Sequence, residues 1–114
     1  MQPEARKLLE DMRMAALGIM SAVKNRTIED YRSDMLFRWS VERGFEITGE
    51  ALSQLRKLDP GLASSISDHR SIISFRNILV HAYSIIDNDK TWDIAIVELP
   101  LLLKEVEALL QKPA

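Results

Sequence analysis

The chain has 114 residues, 46% of them hydrophobic and 28% charged, with four glycines, four prolines, no cysteine and a formal net charge of -2. This composition is globular rather than disordered, and the length suits one core and is too short for two, so a single domain over residues 1–114 is expected. The missing cysteine excludes disulfides, thiolate nucleophiles and cysteine-built zinc sites, while the slightly acidic balance argues against a broad, non-specific nucleic-acid binder.

In chain order, Leu8, Met12, Ala15 or Ala16, Ile19 and Val23 recur at spacings of three and four behind Pro3, which predicts a helix over about 3–24. Thr27 followed by Asp30 has the spacing of a capping box and starts a second helical region that runs to about Lys57. Leu36, Val41, Phe45, Leu52 and Leu55 are its apolar positions, and a break near Ser33 or a bend near Gly44 or Gly49 is expected. Asp59-Pro60-Gly61 ends it. Ser67 or Asp68 then caps a helix through about Tyr83 or Ser84, and the segment from Ile72 to Ile86 reads as buried. After Asp87-Asn88-Asp89 a last helical region begins near Thr91, and Pro100 must kink or restart it before Leu101 to Leu110. No strand period, repeat or membrane-length apolar run appears. The expectation is all-α, an antiparallel bundle of four to five helices. The opening Met1-Gln2-Pro3-Glu4 has no leader character, which points to the cytoplasm.

Chemistry concentrates in Arg76-Asn77-Ile78-Leu79-Val80-His81-Ala82-Tyr83. From Asp68 to Asp87 no carboxylate intervenes, while His69, Arg70, Arg76 and His81 all fall there, so any nucleic acid is expected at that patch. An arginine supplies a fixed bidentate cation for a phosphate or phosphorane, and an imidazole moves a proton at neutral pH. Cleaving RNA without a metal requires a base to take the 2′-OH proton and an acid for the leaving 5′-oxygen. On an ideal helix Arg76 and Tyr83 lie about 20° apart, but His81 is about 140° from Arg76 and close to Asn77. Either the helix distorts at its end, or a second copy completes the site across a twofold axis and doubles the histidines; the twofold arrangement is preferred.

These residues resemble the Arg-x4-6-His signature of the HEPN superfamily, and in the Arg-x4-His-x-Tyr form they resemble the HepT-like toxins. Arg43-Gly44-Phe45-Glu46-Ile47-Thr48-Gly49-Glu50-Ala51 is similar to the family's stretch on the preceding helix, and Ile85-Ile86-Asp87, Thr91-Trp92-Asp93 and Leu99-Pro100 to its last segment. The resemblance implies a HEPN-like, all-α, homodimeric endoribonuclease of a type VII toxin–antitoxin system, with no metal and no cofactor. It implies an RNA substrate cut at a dimer-interface cleft and a cognate nucleotidyltransferase antitoxin as partner. Arg76 and His81 match the catalytic pair, Asn77 matches the orienting polar residue, and Tyr83 matches the tyrosine to which the antitoxin transfers AMP. Ser74 and Gly44 depart from the usual Gly and Asn.

Plainer roles stand beside these. His81 fits a core histidine paired to Asn77 or a carbonyl, and Tyr83 fits an interface aromatic. Arg76 pairs with Glu46 or Glu50 on the neighbouring helix, which would hold the guanidinium in place. Arg70 and Arg43 are weaker candidates for RNA contact; Arg38 and Arg43 also fit pairing with Glu42 and Glu46. Trp39 and Trp92 read as core or dimer contacts, and Met12, Met14, Met20 and Met35 as core filler. A rival function is a non-catalytic helical partner or nucleotide-binding subunit of a minimal nucleotidyltransferase; a structural dimer without activity is a third.

Overall fold

Side-chain caps start four of the seven α-helices in the computed structural model, which describes residues 1–113. The first helix, α1, spans Pro3–Val23 and buries Ala5, Leu9, Met12, Ala16, Ile19 and Val23, the inward stripe of a 3.6-residue period. Thr27 Oγ1 accepts from Asp30 N at 3.2 Å and Asp30 returns a carboxylate oxygen to Thr27 N at 2.9 Å. That reciprocal pair starts α2, Ile28–Ser33. Asp34 ends α2 and caps α3, Met35–Leu58, by accepting from Phe37 N, so the expected break near Ser33 is one extended residue. Asp59 repeats the device: it closes α3 and caps a short α4, Pro60–Ser64, where the sequence reading had only a turn.

Asp68, in the left-handed region at φ 58°, leads into α5, His69–His81. A 3-10 turn covers Tyr83–Ile85, and Asp87 caps α6, Asn88–Asp93, three residues earlier than expected. The helix then runs without interruption through a π-helical turn, Ile94–Glu98, into α7, Leu99–Leu110. Leu99 N donates to Ile94 O, five residues back. Proline cannot donate and its ring collides with the carbonyl four residues earlier in an α-helix, so the widened turn accommodates Pro100 without breaking the helix.

Among the described residues the architecture is all helical. The α1 helix packs on α3 and α7, α3 packs on α5, and α2 meets α6. Gly44 permits close approach of α1, because a Cβ there would stand 2.5 Å from Ile19 Cγ1. Tyr31, Phe37 and Trp92 form an aromatic corner with ring centroids 5.4 to 6.2 Å apart, and the Arg26 guanidinium lies 4.0 Å over Phe37. Burial, with Glu42 nearby, raises the Tyr31 phenol, and burial likewise raises the Glu42 carboxyl against the opposing pull of Arg38. Arg38 bonds the carbonyls of Tyr31 and Arg32. No helix among the described residues is long and apolar enough to cross a membrane.

Three expectations change. The segment from Ile72 to Ile86 is not a buried helix: α5 stops at His81, and of its residues only Ile73 and Leu79 are buried. The molecule is 19 Å through its thinnest axis, about two helix diameters, so an apolar residue on the outer side of α5 has nothing within the chain to cover it. Met14 and Met35 are exposed rather than core, whereas Met12 is buried and Met20 packs against the core. Trp39 is 55% exposed, while Trp92 belongs to the aromatic corner.

Candidate active site

The site is built where α5 lies against α3. A Cβ at Gly49 would stand 2.3 Å from Arg76 Cβ and 2.8 Å from its Cγ, so only glycine lets the stem of Arg76 lie on the α3 backbone. One residue on, Glu50 meets the head: Arg76 Nη2 is 2.6 Å from Glu50 Oε2, and Arg76 Nη1 donates to Asn77 Oδ1 at 3.0 Å. Gln54 Nε2 donates to the other Glu50 oxygen at 3.1 Å. The guanidinium is therefore fixed in place by a chain of polar contacts running from Gln54 through Glu50 to Asn77. Its Nε is buried without a partner, and the side chain keeps 24% of its surface open.

That open side faces a groove of about 220 Å³ lined by Arg43, Glu46 and Glu50 of α3, Asp11 of α1 and Val80 of α5, with Arg76 itself. Of the two carboxylates considered for Arg76, the structure selects Glu50. Glu46 instead pairs with Arg43 at 3.2 Å. Arg43 is thus placed in the Arg76 groove, already neutralised by its neighbour, and Arg38 pairs with backbone carbonyls instead of a carboxylate.

His81 is the last residue of α5 and is exposed, so the core-histidine reading fails; Asn77 Oδ1, its expected partner, is engaged by Arg76. Ala82, at φ -136° and ψ 43°, breaks the helix one residue past His81, so the distortion considered for its C-terminus leaves Arg76 and His81 in their regular helical relation. The distortion does not bring the three groups together. Tyr83 opens the 3-10 turn with 77% exposure, and among the described residues no hydrogen bond joins Arg76, His81 and Tyr83 to one another. The 100° helical step carries His81 to the outer side of α5, along with Asn77, Ser74 and Arg70, while Arg76 lies against α3. Arg70 lies away from the Arg76 groove and lines a different cleft, between α5 and α7.

Within one chain, then, the fold joins Arg76, Asn77 and Glu50, places Arg43 and Glu46 alongside, and leaves His81, Tyr83 and Arg70 apart. Gln54 escaped the sequence reading, although its i, i+4 spacing from Glu50 is a readable signal. The packing role of Gly49 was also missed. Chemically the arrangement offers a pre-set planar cation with remaining N–H donors toward a groove, and a solvent-facing imidazole two residues from a solvent-facing phenol.

A family model described as "Ribonuclease HepT-like" matches residues 12–109. A protein of Caldanaerobacter subterraneus subsp. tengcongensis, named "Putative RNase TTE0752", is 29% identical over 107 residues, covering 94% of this chain and 95% of its own. Two proteins of Methanocaldococcus jannaschii also match: "Putative RNase MJ1380" is 27% identical across 91% of this chain and 94% of its own, and "Putative RNase MJ1216" is 26% identical across 82% and 76%. No solved structure gives a significant match.

Proposed function

The chain belongs to the HepT-like ribonuclease family, and we propose on that premise that it is a metal-independent endoribonuclease that cuts RNA in a cleft shared by two copies. The observation that carries this reading is the separation of Arg76 from His81. Arg76 is anchored on α3 by Glu50, whereas His81 ends α5 facing outward. A transphosphorylation needs a base, an acid and a cation at one phosphate. One chain offers one suitable histidine and aims it away from its own arginine; a twofold pairing of α5 segments supplies two histidines and two arginines to one cleft.

In that cleft the imidazole of one His81 takes the proton from the 2′-OH as that oxygen attacks phosphorus. The second His81, protonated, gives its proton to the departing 5′-oxygen, leaving a 2′,3′-cyclic phosphate and a 5′-OH. Arg76, held by Glu50 and Asn77, neutralises the charge that builds on the non-bridging oxygens. Uncovered apolar residues are compatible with the pairing: Leu36 at 68% and Trp39 at 55% exposure on α3, with Val80 and Ile85 beside the motif.

Tyr83 fits the regulatory role that the family resemblance gives it. With its phenol exposed and two residues from His81, it is open to a nucleotidyltransferase, and AMP there adds bulk and negative charge beside the site. The whole chain acts as one domain in the cytoplasm on this reading. Incubation of unmodified protein with total RNA in EDTA tests it: wild type yields 2′,3′-cyclic phosphate ends and His81→Ala does not. A dimer of unmodified mass that cuts nothing would instead favour a non-catalytic nucleotidyltransferase partner.

A further inference from the structure

Two apolar features stay uncovered among the described residues, one ahead of His81 in the chain and one after it. The first is a cleft of about 510 Å³ between α5 and α7, lined by Phe45 and Phe75, which meet edge to face at 5.4 Å. Ile78 and Leu101 also line it, and both are exposed. The second is the 3-10 turn that follows α5. Ile85 in that turn is 69% exposed, although Ile86 beside it packs against the core and Asp87 Oδ1 accepts from Asp89 N and Lys90 N. Core packing and a cap fix the turn from behind, so Ile85 is held outward.

Direction decides where the turn points. The short connection through α4 sets α5 antiparallel to α3, with Arg76 on Gly49 and Val80 in one groove with Arg43. Beyond His81 the chain goes on to α6, which packs on α2, ahead of α3. The turn therefore continues past the end of α5, and none of its residues lines the cleft of its own chain.

The twofold pairing proposed above brings the two features together. With two α5 helices antiparallel and His81 of one copy level with Arg76 of the other, residues beyond His81 lie level with residues ahead of Arg76. In that register Tyr83 is level with Ser74, Ile85 with Ile72, and Asp87 with Arg70. Ile72 and Ser74 line the cleft. Arg70 lines it as well, is exposed and makes no ion pair among the described residues; the exposed Asp87 offers it a carboxylate. One register thus matches an apolar turn to an apolar cleft and a carboxylate to a guanidinium.

We infer that Ile85 of each copy seats in the α5–α7 cleft of the other, and that this seat sets the register which brings His81 to the opposite Arg76. The inference rests on the shared-cleft reading above and adds to it a positioning residue that touches no RNA.

The lack of native cysteine makes the test direct. Full chain carrying Ile85→Cys is mixed with differently tagged full chain carrying Ser71→Cys or Ser74→Cys, both exposed cleft positions, and oxidised. A disulfide needs Cα atoms within about 7 Å, so a covalent heterodimer should form with at least one of the two. Met14→Cys, exposed on α1, should give none, and neither should Ile85→Cys alone, because the two turns lie at opposite ends of the paired helices. Ile85→Asp, at an exposed position, should keep its melting temperature and weaken the dimer on the order of 10- to 100-fold in sedimentation. Its cleavage of RNA should recover when its concentration is raised by a like factor.

No heterodimer at either serine, an equal yield at Met14→Cys, or an Ile85→Asp chain as dimeric as wild type would overturn the inference. The two readings fail separately. Cross-linking and dimer loss as described, in a protein that cuts no RNA, retain the seat and remove the nuclease. Cleavage by wild type, with Ile85→Asp equally dimeric and equally active, removes the seat and retains the nuclease.

Discussion

At the residue scale, the proposed centre depends on how Arg76 is held rather than on its mere presence. A guanidinium on a long stem is mobile unless something fixes it, and here Gly49 seats the stem while Glu50 and Asn77 fix the head. Glu50→Gln keeps the shape and removes the charge. It should lower cleavage on the order of 10- to 100-fold with little change in melting temperature. A second residue-scale prediction concerns Glu42, whose carboxyl burial raises. Its charged form is disfavoured in the folded chain, so it costs stability above the folded pKa and nothing below the ordinary carboxylate range. Glu42→Gln should therefore raise the melting temperature at pH 7, and the gain should shrink steadily as pH falls to 4. The catalytic candidates were legible as residue types in a short apolar stretch. Their partner was not: the pattern offered Glu46 and Glu50 equally, and only the facing of Gly49 decides that Glu50 meets Arg76.

At the element scale, capping was legible at Thr27 with Asp30, while the cap expected from Ser67 or Asp68 makes no side-chain bond to the start of α5. Thr27 with Asp30, Asp34, Asp59 and Asp87 each accept from the first turn of a helix, a local signal that survives without knowledge of packing. Two features escaped because they depend on longer context. The π-helical turn before Pro100 answers a backbone clash that could equally have been met by a kink, and the end of α5 at Ala82 follows no proline or glycine. Glycine placement provides the element-scale test. Gly49→Ala sets a Cβ against the Arg76 stem, with the Ile72 carbonyl at 3.3 Å leaving no retreat, so it should cost about 1–3 kcal/mol in unfolding and reduce activity as well. Gly44→Ala meets only the side chain of Ile19, which can rotate, and should cost less in denaturant melts. Equal costs would mean that α5 does not need its close seat on α3.

At the scale of the whole molecule, the thin bundle leaves Leu36, Trp39 and Ile47 of α3 and Val80 of α5 exposed, and turns His81 away from the arginine of its own chain. Sequence patterning hid this, since an exposed apolar residue at helical spacing looks the same as one facing the core; the motif segment was read as buried for that reason. Both features are reconciled by a twofold ribonuclease cleft that uses both histidines. The most direct test is to co-refold wild type with increasing shares of His81→Ala and follow RNA cleavage at constant total protein. If each cleft needs His81 from both copies, activity follows the square of the wild-type share, so an equal mixture keeps about one quarter. A linear fall, with about one half remaining in the equal mixture, would mean that one His81 suffices for each active site and would contradict the two-histidine cleft.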